Sequence, residues 1–323
     1  MTRTLTTREL NRALLARQML LKRARLSIPK VLDRMGGLQA QYAPAMYVGL
    51  WSRTEGMKRV DLTYALVKKT VVQGTLLRAT IHLVSAADYW PWAIAIRKAR
   101  RQWWLRVQQT NLTEPVMFEA AEKVRALLTD GPKARRELEH SIGKEAWGGV
   151  GLWLDLVRVP PSGTWERRRA DMFGTADTWI TRIEIDPASA QQQLVRRYLG
   201  GFGPSTRNEI AEWSGLSTGA IDSALASIET RHYLTEDGKD LFDLPRAPLP
   251  DPATTAPVRF IHVWDAMLLV HARRTGILLE EHRKLIFNTK TPQSVPTFLV
   301  DGTVAGTWRY EAGKVEVSPF DPL

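Results

Sequence analysis

The sequence predicts a mainly α-helical protein with β-structure: tandem winged-helix modules followed by a small C-terminal β-barrel-like domain. Three observations predict it. Helical periodicity repeatedly gives way to short β-like runs beside turns, a tight turn joins two helical runs in the third such stretch, and a Pro-rich linker introduces a closing region of short apolar runs. A chain of 323 residues also has room for several units, at roughly 150 residues per domain.

The first module is expected over 1–84. Residues 6–22 read as a helix opened by the capping box Thr6-x-x-Glu9, with Leu10, Leu14, Leu15 and Leu21 forming an apolar stripe. Ser27 and Pro29 start a second helix, where proline's missing N–H costs nothing, and Gly36-Gly37 ends it. After Leu38-Gln39-Ala40-Gln41-Tyr42, a third helical run is expected near 61–69. Two β-like runs follow, 71–73 and 76–84, split by Gly74.

The second module is expected over 85–185. Ser85-x-x-Asp88 caps a long helix reaching about Gln109, and another runs over 115–128 until Asp130-Gly131-Pro132 stops it. Residues 135–142 and 147–157 read as two short helices. Pro160-Pro161-Ser162-Gly163 breaks the pattern, and 164–169 reads as a basic hairpin or wing. In the third module, 186–250, the helix 191–202 precedes the capping box Thr206-x-x-Glu209 and a helix to Trp213. The turn Ser214-Gly215-Leu216-Ser217 leads to a helix over 218–228, in the place of a recognition helix, and a hairpin turns at Asp237-Gly238. The Pro-rich stretch 245–257 then links to a β-rich domain over 258–323, with turns at Asp301-Gly302 and Gly306.

Composition narrows the function. The net charge is +11, and Arg supplies 32 of the 45 basic residues. This excess calls for an anionic partner, and the planar guanidinium adds bidentate phosphate recognition. Nucleic acid leads and an anionic membrane surface trails. The bland alternative is that arginine reflects a GC-rich genome and merely solubilises. Cysteine is absent, which rules out disulfides, thiolate zinc sites and a cysteine nucleophile. The six histidines include no i, i+4 pair, and Gly200-Gly201-Phe202-Gly203-Pro204 lacks the Lys-Ser/Thr of a phosphate loop, so neither metal nor cofactor is expected. The opening MTRTLTTREL has no signal-like apolar core and no apolar run reaches membrane-spanning length, so a soluble, unexported protein is expected; as a DNA binder it is expected to be cytoplasmic, nucleoid-associated and monomeric.

Basic residues cluster at candidate DNA contacts. Arg97, Arg100 and Arg101 line one long helix beside Trp103 and Trp104, Arg167, Arg168 and Arg169 sit in the expected wing, and Arg207 opens a helix. Phosphate contacts from such places give salt-sensitive affinity independent of sequence. A solvated helix face is the alternative for the first cluster.

At Gly37-Leu38-Gln39-Ala40-Gln41-Tyr42 the sequence resembles the QΦQ motif (Gln, apolar residue, Gln) of the AlkZ-like DNA glycosylases, the winged-helix family that includes the enzyme unhooking azinomycin crosslinks. Further stretches resemble the family in the same order: Arg78-Ala79-Thr80-Ile81-His82-Leu83-Val84, Arg197 to Pro204, Phe260-Ile261-His262-Val263-Trp264-Asp265, and 300–308. The chain departs from the pattern in the small spacer Ala40 and in Glu209, where Asp is more usual.

The resemblance implies a concave DNA-binding surface with catalytic glutamines, here Gln39 and Gln41, at its centre, and a repair or antibiotic self-resistance role. Arg78 joins the expected DNA contacts. An N7-alkylated guanine is cationic and already a good leaving group, so its excision needs positioned water and stabilisation of the sugar cation rather than a strong acid. A neutral amide supplies both. Two glutamines two residues apart in extended backbone face the same way, as do Thr80 and His82, the expected supporting pair. Without the resemblance, the glutamines read as polar loop residues bonded to nearby backbone. A non-catalytic winged-helix regulator is the main alternative function, and an RNA-binding or translation-associated factor the second.

Overall fold

The computed structural model describes residues 2–287 and 294–322. Met1 of the expected first module, and 288–293 and Leu323 of the expected closing domain, lie outside the described residues. The fold is mixed, with helices enclosing one six-stranded sheet and two smaller sheets standing beside it.

Helix Thr7–Arg17 begins where the sequence places it. The Thr6 side chain accepts from the Glu9 N–H, and the Glu9 carboxylate accepts from the Thr6 N–H at 2.8 Å. Helix Ile28–Met35 stops at Gly36, whose φ of 77° is left-handed. Gly37 follows at φ 68°, and a Cβ there would lie 2.9 Å from the Trp92 ring. The glycine pair therefore turns the chain and lets it run flush against helix Ala86–Val107.

Helix Ala43–Arg53 follows the glutamine motif and is absent from the sequence-based expectation. It is buried on nearly every side, from Ala43 and Met46 to Gly49 and Arg53, so no apolar stripe marks it. Helix Arg59–Val67 lies close to the expected run.

The six-stranded sheet is antiparallel throughout, in the order Leu38–Gln39, Ile81–Ser85, Val71–Thr75, Leu156–Arg158, Met172–Thr175, Lys133–Ala134. Gln73 pairs with Arg158 and Gly74 with Val157, so one ladder runs across residue 84. The helix expected over 147–157 is corrected. Helix Lys144–Val150 ends in a turn, and Leu156–Arg158 is the strand that joins this ladder.

Helix Pro187–Phe202 is capped by Asp186. Helix Arg207–Ser214 opens on the complete Thr206/Glu209 capping box and closes at Gly215, and helix Thr218–Ala226 follows. Strands Arg231–Thr235 and Asp240–Asp243 form the hairpin, onto which Thr4–Leu5 adds in parallel. A four-stranded antiparallel sheet, Arg259–Ile261, Thr297–Val300, Thr303–Glu311 and Lys314–Pro319, completes the fold.

The main core joins these parts through large rings. Trp92 meets Trp213 edge-on at 5.3 Å, and Tyr198 stacks on Phe202 at 5.4 Å. Burying each such side chain contributes on the order of 3 kcal/mol. Charged pairs also lie inside the protein. Arg17 binds Asp243 through contacts of 2.7 and 3.0 Å, and Arg53 donates to Asp265 at 2.7 Å while His262 meets the same carboxylate. The Phe260-to-Asp265 stretch thus anchors the last sheet to helix Ala43–Arg53. Among the described residues no helix is long and apolar enough to cross a membrane.

Candidate functional site

The glutamine motif lies on the outer strand of the six-stranded sheet. Gln39 stands opposite His82 in the antiparallel pair, and the Ala40 N–H donates to the Ile81 carbonyl at 2.7 Å. Leu38 and Ala40 turn into the core of the first helices together with Leu83. Gln39 and Gln41 therefore share the opposite side, and Gln39 Nε2 donates to Gln41 Oε1 at 2.8 Å. The small Ala40 is compatible with this arrangement, since the space for it is inside the core. Gln39 is 6% exposed, whereas Gln41 is open to solvent.

Behind the pair lies the turn Leu77–Ala79, in which Arg78 and Ala79 have φ of 52° and 56°. Arg78 turns inward: Nη1 donates to the Trp213 carbonyl at 2.9 Å and Nη2 to Gln39 Oε1 at 3.2 Å. Burial pushes this guanidinium down to about 10. Thr80 Oγ1 donates to the Leu77 carbonyl at 3.0 Å, and His82 Nδ1 donates to the Thr80 carbonyl at 3.0 Å. Burial, reinforced by the charge of Arg78, pushes His82 down to about 3, so its ring is neutral at physiological pH.

The other expected contacts divide. Arg167, Arg168 and Arg169 are exposed in the loop between strands Leu156–Arg158 and Met172–Thr175, as a basic hairpin tip. Gly163 holds the loop shut by donating to the Arg167 and Arg169 carbonyls, and Gln73 Nε2 donates to the Gly163 carbonyl at 2.9 Å. Arg168 reaches the hydroxyl of Tyr42 at 3.3 Å, which places the loop beside Gln41. Arg207 is exposed at its helix start and pairs with Asp222 at 3.0 Å.

The helix cluster sits differently from its expected role. Arg100 is buried and donates to the Thr75 carbonyl at 2.9 Å, Arg97 pairs with Asp155 at 2.7 Å, and Arg101 donates to the carbonyls of Leu152 and Trp153. All three are engaged within the fold, because this side of helix Ala86–Val107 faces strand Val71–Thr75 and residues 152–155.

Several residues escaped sequence reasoning. Tyr42 and Trp165 flank the motif, with Trp165 packed edge-on to Tyr47 at 5.6 Å and covered by Arg59 and Arg168. A tryptophan beside a run of arginines was the available signal. Arg136, His140 and Lys144 join Arg135 and Arg169 around an open cleft of about 950 Å³. No cluster of His, Asp or Glu suited to a metal occurs among the described residues.

The sequence model of the family described as DNA glycosylase AlkZ-like matches residues 32–323. The chain is 24% identical to the interstrand DNA cross-link repair glycosylase of Streptomyces sahachiroi, over 94% of this chain and 88% of that protein. Its fold matches the solved structure of the Streptomyces sahachiroi DNA glycosylase AlkZ with a TM-score of 0.82, at 20% identity, covering 98% of this chain and 91% of the other. With the glutamine pair and its flanking stretches falling inside a family match of this length, the chain belongs to the AlkZ-like DNA glycosylase family.

Proposed function

We propose that this protein is a monofunctional DNA glycosylase that hydrolyses the N-glycosidic bond of cationic, N7-alkylguanine-type bases in duplex DNA, with Gln39 and Gln41 placing the attacking water. The observation that carries the reading is the linked amide pair, one member buried and the other open to solvent. Gln41 Oε1 accepts one hydrogen bond from Gln39 and keeps a second lone pair for water. The C1′–N9 bond breaks with its electrons passing to the purine, whose positive charge they neutralise. The water oxygen then bonds C1′ and loses its proton to solvent. Amide dipoles held in place stabilise the developing sugar cation without reorganising. Thr80 and His82, beside and opposite Gln39, are the supporting pair in this reading, with the His82 ring neutral.

The cross-link repair name of the Streptomyces sahachiroi relative extends the proposed substrates to bulky adducts and crosslinks. We take 1–84, 85–185 and 186–250 as three winged-helix modules and 258–323 as a β-barrel-like closing domain. The protein acts in this reading as a cytoplasmic, nucleoid-associated monomer, gripping phosphates with the 167–169 loop and Arg207.

The test is single-turnover excision of N7-methylguanine alongside duplex binding. Gln39→Ala and Gln41→Ala are expected to retain binding, with at least one losing about 10²-fold in rate, the scale of one preorganised polar group. Uracil, an uncharged base, should be a poor substrate for the wild type. Wild-type rates in both variants would put the non-catalytic regulator reading ahead.

A further inference from the structure

We propose that Arg78 is a positioning residue that sets the orientation of the Gln39 amide, and through it that of Gln41, rather than a contact to DNA. The inference rests on the glutamine reading above. Among the described residues, the acceptors that Arg78 finds are neutral: the Trp213 carbonyl and Gln39 Oε1. A half-buried cation set against two neutral oxygens is costly, and desolvation alone depresses its pKa. The turn adds a second cost, because Arg78 and Ala79 hold consecutive left-handed φ values that side chains with a Cβ seldom adopt. Strain of this kind persists only where the surroundings over-determine it.

What the arrangement gains is polarity. A glutamine amide has two nearly isosteric orientations, exchanging oxygen for NH2. Arginine carries donors only, so its contact favours the orientation with Oε1 toward Arg78. Nε2 of Gln39 then faces Gln41 and donates to its Oε1 at 2.8 Å. The hydrogen bonds run in one sense from Arg78 through Gln39 to Gln41, each polarising the next. Exchanging Gln39 would set NH2 against guanidinium and present oxygen to the oxygen of Gln41. The other hand of Arg78 rests on Trp213, in helix Arg207–Ser214, so the same side chain joins the helix-turn-helix to the glutamines.

The experiment uses the full chain with Arg78→Met, Arg78→Lys and Arg78→Gly. Glycine accepts the left-handed φ and leaves space for free guanidinium ion. Excision of N7-methylguanine by Arg78→Met should fall about 10- to 100-fold, at or below the lower end of the roughly 10²–10³-fold loss for removing a preorganised polar group that acts directly, with duplex affinity and its salt dependence unchanged. Lysine, a point charge without the planar fork, should restore only part of the rate. Millimolar guanidinium should raise the rate of Arg78→Gly and leave wild type and Gln39→Ala unaffected. A second readout needs no activity: with ¹⁵N-glutamine labelling, the Gln39 side-chain NH2 signals should shift in Arg78→Gly and return on adding guanidinium.

An unchanged rate with unmoved amide signals overturns the proposal. So does a parallel loss of affinity and salt slope, which would make Arg78 a phosphate contact. If the wild type excises nothing, the glycosylase reading fails, and the amide signals still decide whether Arg78 holds Gln39. If Arg78→Met does not fold, the glycine variant with guanidinium carries the decision.

Discussion

Gln39 and Gln41 carry the same side chain in different surroundings, so their alanine variants should differ. Gln39 is buried and its oxygen is held by Arg78, so removing the amide opens a cavity and leaves the guanidinium short of an acceptor. We expect Gln39→Ala to lower stability by about 1–3 kcal/mol, as for a buried partner left unsatisfied. Gln41→Ala, at an exposed position, should stay within about 0.5 kcal/mol of wild type. Denaturant midpoints measure both, and equal losses would contradict the buried and exposed assignment. His82 and His271 give a pH test. Burial depresses both, His82 to about 3 and His271 well below its ordinary value. Below pH 6.5 the unfolded chain binds protons that the folded chain refuses, so stability is full above that pH and falls as pH drops. The slope approaches about 1.4 kcal/mol per pH unit for each histidine. Unfolding at pH 7 and pH 5.5 measures it, and a flat profile would mean that these rings titrate normally.

At the scale of elements, the arginines of the loop and those of the helix should behave oppositely. Arg167, Arg168 and Arg169 are exposed on a loop closed by Gly163, whose φ is 73° and whose Cβ would lie 2.9 Å from Gln73 Oε1. Changing all three to alanine should weaken binding to any duplex and flatten the salt slope by about 0.9 for each phosphate no longer neutralised. Binding that keeps the wild-type slope would leave this loop without a phosphate role. Arg100→Ala should instead cost about 1–3 kcal/mol of stability, through the Thr75 carbonyl bond and the packing of the arginine stem, with the salt slope preserved. The spacing of Arg97, Arg100 and Arg101 looked like a cationic face because basic side chains usually reach water. Here the Asp155 carboxylate and the carbonyls of Leu152 and Trp153 hold the half-buried Arg97 and Arg101 against the protein, and the Thr75 carbonyl accepts from the buried Arg100.

For the whole molecule, the first strand and helix are tied to distant later parts of the chain. Thr4 pairs with Leu234, Asp301 binds Arg8 and Arg12, and the Asn11 side chain donates to the Gly302 carbonyl at 2.9 Å. The Arg53, Asp265 and His262 cluster fixes the last sheet to the helix beside the glutamine motif, and the neighbouring charges hold the Asp265 carboxyl well below its usual range against the opposing effect of burial. Asp265→Asn leaves Arg53 buried without its counter-charge, and we expect a loss of about 3–5 kcal/mol. Chemical denaturation measures it; a loss below about 1 kcal/mol would mean that water reaches the pair.

What the sequence by itself determined is local. The capping boxes at Thr6 and Thr206, the stop at Gly36-Gly37, the turn at Gly215 and the hairpin around Asp237-Gly238 each depend on residues within a few positions of one another, and each stands where it was expected. The side on which Gln39 and Gln41 meet was also legible, because alternation in extended backbone is a two-residue property. Tertiary structure decided the rest. Helix Ala43–Arg53 is hidden by burial on nearly all sides, and the strand Leu156–Arg158 forms because Val71–Thr75 offers it a ladder from far along the chain. Whether an arginine meets solvent, a carboxylate or the oxygen of a glutamine depends on which distant carbonyls surround it, and no spacing within the sequence encodes that arrangement.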